Sequence, residues 1–246
     1  MWNLIKKNLD EKILTKLNDS YRNLKRNLNR IFFDFTNYKV ILEQMENYVH
    51  IIKIGNKETI GFFCTIPLHK KNNNINVLIT NNSTLNEEIM KEKNIKILIE
   101  FQKEKKIKEI MLTNRKYYTN KEYNTTIIEI KKEDKIDNYL ELDKEFIVGD
   151  EINFREYEHE NIYIINNKIG KLTLTFSYIN NIYEDKKYNF IIPYGKNLLV
   201  YGAPIFGYNN KLIGLTNKEV KNHYYCSCVG TFLYYPMKEF IDNNYN

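Results

Sequence analysis

The first 46 residues repeat apolar side chains in a helical pattern. These side chains recur at steps of four and three residues, which is the spacing of one face of an α-helix. The face comprises Ile5, Leu9, Ile13, Leu17, Tyr21, Leu24, Leu28 and Ile31. Lysine and arginine occupy much of the remaining helix surface. The pattern therefore predicts an amphipathic helical arm over residues 1–46.

Three roles for this arm fit its pattern. The helix can pack on its own domain, dock on a partner chain, or lie on an anionic surface. Of these we predict contact with another protein, made through the face of Ile5, Leu9, Ile13, Leu17, Leu24 and Leu28.

From about residue 48 the pattern changes to short apolar or alternating runs. They are rich in Ile, Tyr, Phe, Val and Thr, which suit a pleated, half-buried surface. Six runs lie in the first half, at 49–54, 59–67, 75–81, 95–101, 107–113 and 125–131. The second half holds the runs 146–152, 161–167, 171–179, 189–194, 203–208, 211–217 and 230–236. Their number and spacing predict an all-β sandwich or barrel.

About six strands in each half favour two barrels side by side. Residues 235–243 predict a short closing helix, with Pro236 in its first turn. We therefore divide the chain into the arm, a first barrel over 47–135, and a second barrel with the C-terminal helix over 136–246.

Composition and charge narrow the functional classes. Hydrophobic residues make up 43% and charged residues 28%, as in globular chains. Heavy use of Asn, Lys, Ile and Tyr indicates an A/T-rich genome, which inflates the lysine content. The formal charge of +6, from 37 basic and 31 acidic residues, therefore indicates a solvated surface rather than a nucleic-acid site.

Apolar run lengths and the number of cysteines bear on where the protein resides and on whether it binds a metal. No apolar run follows the N-terminus that would make a secretory signal, and none reaches the length of a membrane span. The chain has three cysteines, Cys64, Cys226 and Cys228, a number that fits reduced thiols. We therefore predict a cytoplasmic protein, either free or as part of a cellular or viral particle. Cys226, Cys228 and His223 offer three candidate ligands, whereas a structural zinc site has four. We therefore expect no metal and no cofactor.

Four stretches together resemble the trypsin-like serine proteases. The resemblance covers roughly residues 45–242, with matching order and spacing. The stretches are "GFFCTIPLHKKNNNINVLITNNSTLNEE" (61–88), "KEYNTTIIEIKKED" (121–134), "VYGAPIFGYNNKLIGLTN" (200–217) and "GTFLYYPMKEFI" (230–241). The resemblance implies two six-stranded antiparallel β-barrels and a histidine–aspartate–serine triad.

The resemblance assigns each catalytic position to a residue that lacks the required chemistry. The family's base follows two asparagines in "NNHVL", and here that position is Ser83. A serine hydroxyl cannot accept a proton near neutral pH. The orienting acid follows a tyrosine, and here it is Asn124, a neutral amide.

The turn that carries the nucleophile in this family also differs in this chain. Anchoring on Gly202 and Pro204 places Tyr201 at the nucleophile and Ala203 at a neighbouring serine. Two positions earlier the family has a glycine that shapes the oxyanion hole, where this chain has Leu199. These departures imply a protease scaffold without its chemistry.

Substitute catalytic groups are hard to find in the sequence. None of the four histidines falls at the base position; they are His50, His69, His159 and His223. Cys64 lies on a predicted strand, where core packing is its expected role. The primary pocket wall is altered at Thr216 and Glu219.

Three functional hypotheses follow. The first is a catalytically inactive trypsin-like domain that acts as a structural or protein-binding module. The second is a divergent serine or cysteine peptidase whose catalytic residues lie elsewhere. The third is nucleic-acid binding through the basic stretches 103–108 and 114–118, which would weaken steeply with salt.

Overall fold

The computed structural model describes most of the chain beyond residue 35. The described ranges are 36–68, 73–92, 94–101, 103, 106–143, 152–168, 170–183, 189–194, 201–221 and 226–245. The arm residues from Ile5 to Leu28 and most of the run 146–152 lie outside them. None of the described helices is long and apolar enough to cross a membrane.

Fourteen strands form two sheets within these ranges. The first sheet contains β1 Val49–Ile54, β2 Lys57–Leu68, β3 Asn73–Thr80, β4 Lys96–Phe101, β5 Lys106–Met111, β6 Tyr117–Asn120 and β7 Thr125–Glu129. The second contains β8 Asn161–Lys168, β9 Lys171–Tyr178, β10 Asn181–Tyr183, β11 Asn189–Tyr194, β12 Pro204–Gly207, β13 Leu212–Lys221 and β14 Cys226–Phe232. The α-helices are α1 Thr36–Asn47, α2 Glu87–Lys91 and α3 Tyr234–Tyr245.

Both sheets are antiparallel and have seven strands. Their orders are β5-β4-β1-β2-β3-β7-β6 and β10-β11-β14-β13-β12-β8-β9. The all-β architecture with a closing helix is confirmed. Each sheet has seven strands rather than about six: β6 has no counterpart among the six runs of the first half, and in the second half β10 has none while the run 146–152 lies almost wholly outside the described residues. In the described part of the chain the outer strands of each sheet do not pair, so neither sheet closes into a barrel.

Strand β2 is buried on both faces, which explains its unbroken apolar sequence. Phe62 and Cys64 belong to the larger core, which the two sheets share. Phe63 points to a smaller core enclosed by the first sheet. The larger core also receives Phe232 from β14 and Phe240 from α3. The two sheets are thus packed through a common apolar interior.

A crossing segment after the first sheet ties the two sheets together by backbone hydrogen bonds. The Leu140 N–H donates to the Phe63 carbonyl on β2 at 2.8 Å. Further along, the Leu212 N–H on β13 donates to the Glu141 carbonyl at 3.2 Å. The predicted domain boundary between residues 135 and 136 immediately precedes this segment and stays a prediction.

The two longer helices also link the sheets. In α1 the Gln44 amide donates to the Asn210 carbonyl at 2.8 Å and accepts from the Tyr163 hydroxyl at 2.6 Å. Helix α3 leaves the second sheet and packs on the first, where the Tyr118 hydroxyl donates to Glu239 at 2.7 Å. The predicted strand 230–236 is wrong at its end, since α3 begins at Tyr234.

Candidate functional site

The three positions that the resemblance assigns to catalysis meet where the two sheets join. Ser83 follows β3, Asn124 precedes β7, and Tyr201 lies in the turn before β12. The Ser83 backbone N–H donates to Asn124 Oδ1 at 2.9 Å, and the Ser83 hydroxyl lies 3.1 Å from the same oxygen. Two positions 41 residues apart in sequence are therefore in direct contact.

Asn81 connects this pair to the turn of the second sheet. Its side chain is buried, and Oδ1 accepts from the Ser83 hydroxyl at 3.1 Å and from the Thr84 N–H at 2.8 Å. Its Nδ2 donates to the Tyr201 carbonyl at 2.9 Å and to the Thr59 hydroxyl. One amide thus uses both donors and accepts twice. Asn81 was not predicted from the sequence; the only signal there is an asparagine in a turn, a residue whose side chain often bonds nearby backbone groups.

A second unpredicted asparagine holds the other side of Asn124. Asn124 has a left-handed backbone with φ of 48°, which asparagine tolerates, and its Nδ2 donates to the Asn217 carbonyl at 2.9 Å. The Asn217 amide donates in turn to the Glu122 carbonyl at 2.9 Å and the Thr231 hydroxyl at 3.0 Å. Asn217 lies where the β13–β14 register shifts. We call Asn81, Ser83, Asn124 and Asn217 the amide network.

The amide network contains no group suited to proton transfer. Its side chains are amides and one hydroxyl, all neutral near pH 7, and none can serve as a general base there. Their hydrogen bonds run between the sheets and to backbone groups. This arrangement can rigidify the junction, since buried polar groups that are fully bonded fix a unique packing.

The turn at Gly202 depends on glycine for two reasons. Its φ of +80° is in the left-handed region that side chains disfavour. A Cβ atom there would also lie 2.9 Å from Asn81 Cβ and 3.0 Å from the Asn81 backbone nitrogen. The turn is fixed by the Gly202 N–H, which donates to the Thr216 carbonyl at 2.7 Å. Close approach of this turn to Asn81 therefore requires glycine.

We expect Gly202→Ala to lower the free energy of unfolding by about 2 kcal/mol, through backbone strain and the clash with Asn81. Gly170→Ala is the matched control, because Gly170 also has positive φ, at 72°, but a Cβ there would meet nothing within 4 Å. Urea denaturation of both variants separates the clash from the strain. Equal losses in the two variants would show that contact with Asn81 contributes nothing.

The remaining predicted positions are only partly described. Thr216 is fully buried, and its hydroxyl accepts from the Ala203 N–H at 2.9 Å, so this side chain holds the turn. The Glu219 backbone pairs with Cys228, but its side chain lies outside the described residues. Leu199 lies outside them too. The altered pocket wall and the altered oxyanion position stay predictions.

Tyr201 contributes its backbone rather than its hydroxyl to the network. Its carbonyl accepts from Asn81, while 41% of the residue remains exposed. None of the hydrogen bonds that form the amide network involves the phenol. A tyrosine at this place supplies exposed aromatic surface at the junction of the sheets.

Two candidate catalytic groups, His50 and Cys64, lie in apolar cores rather than in the amide network. His50 on β1 is fully buried, with ring centroids 4.5 Å from Phe101 and 5.4 Å from Phe63. Burial lowers the pKa of His50 to about 4, against a weaker opposing effect of the Asn47 backbone. The Cys64 thiol is fully buried in the larger core, and burial raises its pKa. Neither group is an accessible base or nucleophile.

Two of the other potential ligands, His69 and His223, lie outside the described residues. Among the residues that are described, no group of three or more His, Cys, Asp or Glu side chains could hold a metal ion.

A surface pocket of about 350 Å³ lies beside the first sheet, away from the amide network. Its lining includes Phe101, Lys106, Lys108, Lys135 and Asp137. None of the residues predicted for the catalytic site lines it. This pocket therefore does not correspond to a protease cleft.

Comparisons with known proteins support the fold. No family model matches the chain, and no curated protein matches it. The solved structure of Deg5 is similar with a TM-score of 0.54 and 12% identity, over 88% of this chain and 92% of Deg5. The inactive form of a serine-to-alanine mutant of Rv3671c from M. tuberculosis H37Rv is similar with a TM-score of 0.52 and 12% identity, over 84% of this chain and 92% of that chain. The likeness confirms the predicted trypsin-like fold.

Proposed function

We propose that this chain is a trypsin-like domain without peptidase activity that serves as a structural or protein-binding module. The observation that carries the proposal is the direct contact of Ser83 with Asn124, with Asn81 joining both to the Tyr201 turn. A protease of this fold needs a histidine between its acid and its nucleophile. Here a hydroxyl and two amides fill that region with hydrogen bonds to one another.

The network also argues against a dormant site that one change could restore. In a working triad the imidazole takes the nucleophile's proton and the carboxylate stabilises the resulting charge. Ser83 and Asn124 can do neither. The Asn81 amide in addition binds the carbonyl of Tyr201, the residue that aligns with the nucleophile. Loss of function therefore involves the base, the acid and the turn together.

Purified protein is expected to hydrolyse no member of a mixed fluorogenic peptide library above the rate of the buffer alone. It is also expected to resist labelling by a fluorophosphonate or an iodoacetamide-type active-site probe. An active trypsin-like protease treated in parallel serves as the positive control. Hydrolysis that disappears on substitution of one Ser, Thr or Cys would overturn the proposal and establish the divergent peptidase instead.

The hypothesis of nucleic-acid binding loses support because one arginine of the predicted basic stretches is engaged in an ion pair. Arg115 lies in the basic stretch 114–118, but its side chain is only 5% exposed and forms a bidentate ion pair with Asp134, with N–O distances of 2.6 and 2.8 Å. A guanidinium engaged in this way is not free to meet a phosphate. The stretch therefore offers less charge to a nucleic acid than its sequence suggests.

Exposed aromatic side chains support the binding part of the proposal. Tyr178, Tyr183, Tyr201 and Tyr208 are each 37 to 44% exposed on the second sheet and its turns. Tyrosine is enriched at protein interfaces because it offers a large apolar area with a polar tip. The N-terminal arm is the other proposed contact surface, and a cytoplasmic location stays a prediction from the sequence.

A further inference from the structure

The surface pocket beside the first sheet is built from four separate elements. Its walls are the end of α1, Phe101 at the end of β4, the start of β5, and the segment 135–138, which comes after β7. The Lys108 ammonium donates to the Lys135 carbonyl at 2.8 Å and so joins β5 to that segment. The pocket of about 350 Å³ is therefore shaped by tertiary contacts rather than by one loop.

The pocket carries positive charge that the chain does not neutralise. Lys108 and Lys135 line it, and within the described part of the chain neither forms an ion pair. Elsewhere on the same sheet the partly exposed Lys53 has a carboxylate partner, since its Nζ lies 3.1 Å from Glu100 Oε2. The two lysines of the pocket are therefore available to an anionic group from outside.

Apolar surface and two carboxylates complete the lining. Phe101 and Ile107 are the apolar part, and Ile107 is 62% exposed. Glu46 and Asp137 lie in the same lining. Carboxylates accept the backbone N–H groups of a peptide, whereas they repel the phosphates of a nucleic acid. The mixture therefore favours a peptide over a nucleic acid.

A buried imidazole lies next to two walls of the pocket. His50 is fully buried, and neither of its ring nitrogens has a hydrogen-bond partner of good geometry in the described structure. Its ring centroid is 4.5 Å from that of Phe101, and Asn47, three residues earlier in the chain, also lines the pocket. Buried polar groups without a partner are rare and often mark a place that receives water or an ion. The pocket thus adjoins hydrogen-bonding capacity that the chain leaves unused.

We propose that this pocket binds an acidic segment of a partner protein, with an apolar side chain against Phe101 and Ile107 and its flanking carboxylates at Lys108 and Lys135. The inference rests on the proposed protein-binding role and names the chemistry of the partner. Binding energy at interfaces is concentrated in a few side chains that fill a pocket. Opposite charges around that pocket select the partner and speed its association.

The partner chemistry is tested by selecting from a random peptide library displayed on phage, with the full chain as bait. We expect the enriched peptides to share Asp or Glu on both sides of an apolar residue. A fluorescent synthetic peptide of the consensus sequence should bind the full chain in solution, and added salt should weaken binding because exposed charges are screened. Replacing its acidic residues by Asn and Gln should weaken binding at least about 10-fold.

Charge reversal in the pocket locates the binding site. Lys108→Glu with Lys135→Glu should weaken binding of the consensus peptide at least about 10-fold. Lys168→Glu with Lys171→Glu makes the same change of charge on the β8–β9 hairpin, whose residues do not line the pocket, and should leave the affinity unchanged. Equal weakening by both pairs would show an effect of net charge alone and would overturn the inference.

Two further measurements report on the apolar wall. Ile107→Ser should weaken binding about 10-fold, whereas Met111→Ser, on the same strand but outside the lining, should not. Both side chains are exposed, so thermal unfolding should show that both variants fold. The NMR signals of the His50 ring, assigned by their loss in His50→Leu, should shift when the peptide binds, because Phe101 lies against that ring.

The inference would be overturned by a selection that enriches no peptide, or by a consensus without acidic residues. Binding that leaves the His50 signals unchanged would place the peptide elsewhere and would also overturn it. Displacement of the peptide by single-stranded RNA at equal or lower concentration would favour the nucleic-acid hypothesis instead. Failure to bind would leave the lack of peptidase activity standing, whereas cleavage of the selected peptide would overturn the proposed function itself.

Discussion

Asn81→Leu is expected to lower the free energy of unfolding by about 2 to 4 kcal/mol. Leucine has a similar size but would leave the Thr84 N–H, the Tyr201 carbonyl and the Thr59 hydroxyl without their partner. The Thr59 hydroxyl is buried, and stranding a buried group costs about 1 to 3 kcal/mol, whereas the bonds to the Thr84 N–H and the Tyr201 carbonyl are part-buried and add less. The change should therefore be among the most damaging single polar substitutions in the junction.

Urea denaturation gives the loss as a shift in midpoint at constant slope. Asn82→Leu is the matched control, since Asn82 is the adjacent asparagine and is 9% exposed. Its link to the network is the backbone N–H, which donates to the Asn124 carbonyl at 3.1 Å and survives the substitution. We expect this control to cost less than about 1 kcal/mol. Similar losses in both variants would mean that the amide network does not stabilise the fold.

A loss of stability on substitution is the opposite of what is common at a catalytic centre. Active sites keep strained or poorly paired groups, so substitutions there often gain stability while activity is lost. Here Ser83 and Asn124 are bonded to each other, and Asn81 has all four of its bonds. The residues at the triad positions are thus proposed to act as a clamp between the sheets.

The strands were predictable where apolar runs are long and bounded by turns. Strand β1 matches its predicted span from Val49 to Ile54, and β2 differs by two residues at its start and by one at its end. Strands β6 and β10 were missed because four or three residues are too short to show a period. The end of β14 was misplaced because the aromatic residues Tyr234 and Tyr235, which favour strands, begin α3 instead.

Only those site residues that lie within a recognisable sequence motif could be predicted. Ser83 and Asn124 were found through flanking residues that resemble a known family, and the structure brings them into contact. Asn81 and Asn217 were missed because an asparagine in a turn is ordinary in a single sequence. Their partners, such as the Tyr201 carbonyl 120 residues from Asn81, are set by the packing of the sheets and leave no local pattern.

His50 is expected to make the fold lose stability in acid between about pH 6.5 and pH 4. Its pKa is about 6.5 when unfolded and is lowered to about 4 in the fold, chiefly by burial. Above pH 6.5 both states hold neutral imidazole, so the contribution is fully present. As pH falls through this window the unfolded chain binds the proton first, and about 3 kcal/mol is lost by the time the folded histidine protonates.

The difference between the wild type and His50→Leu isolates this effect, because other titrating groups contribute equally to both. Unfolding free energies from urea titrations at pH 7 and pH 4 should fall by about 3 kcal/mol more in the wild type. Phe63→Leu disturbs the same core without removing a titrating group, so it should keep the wild-type dependence on pH. If His50→Leu also kept it, the imidazole would have to be hydrated in the fold. His50 would then be solvated in the fold rather than buried between Phe63 and Phe101.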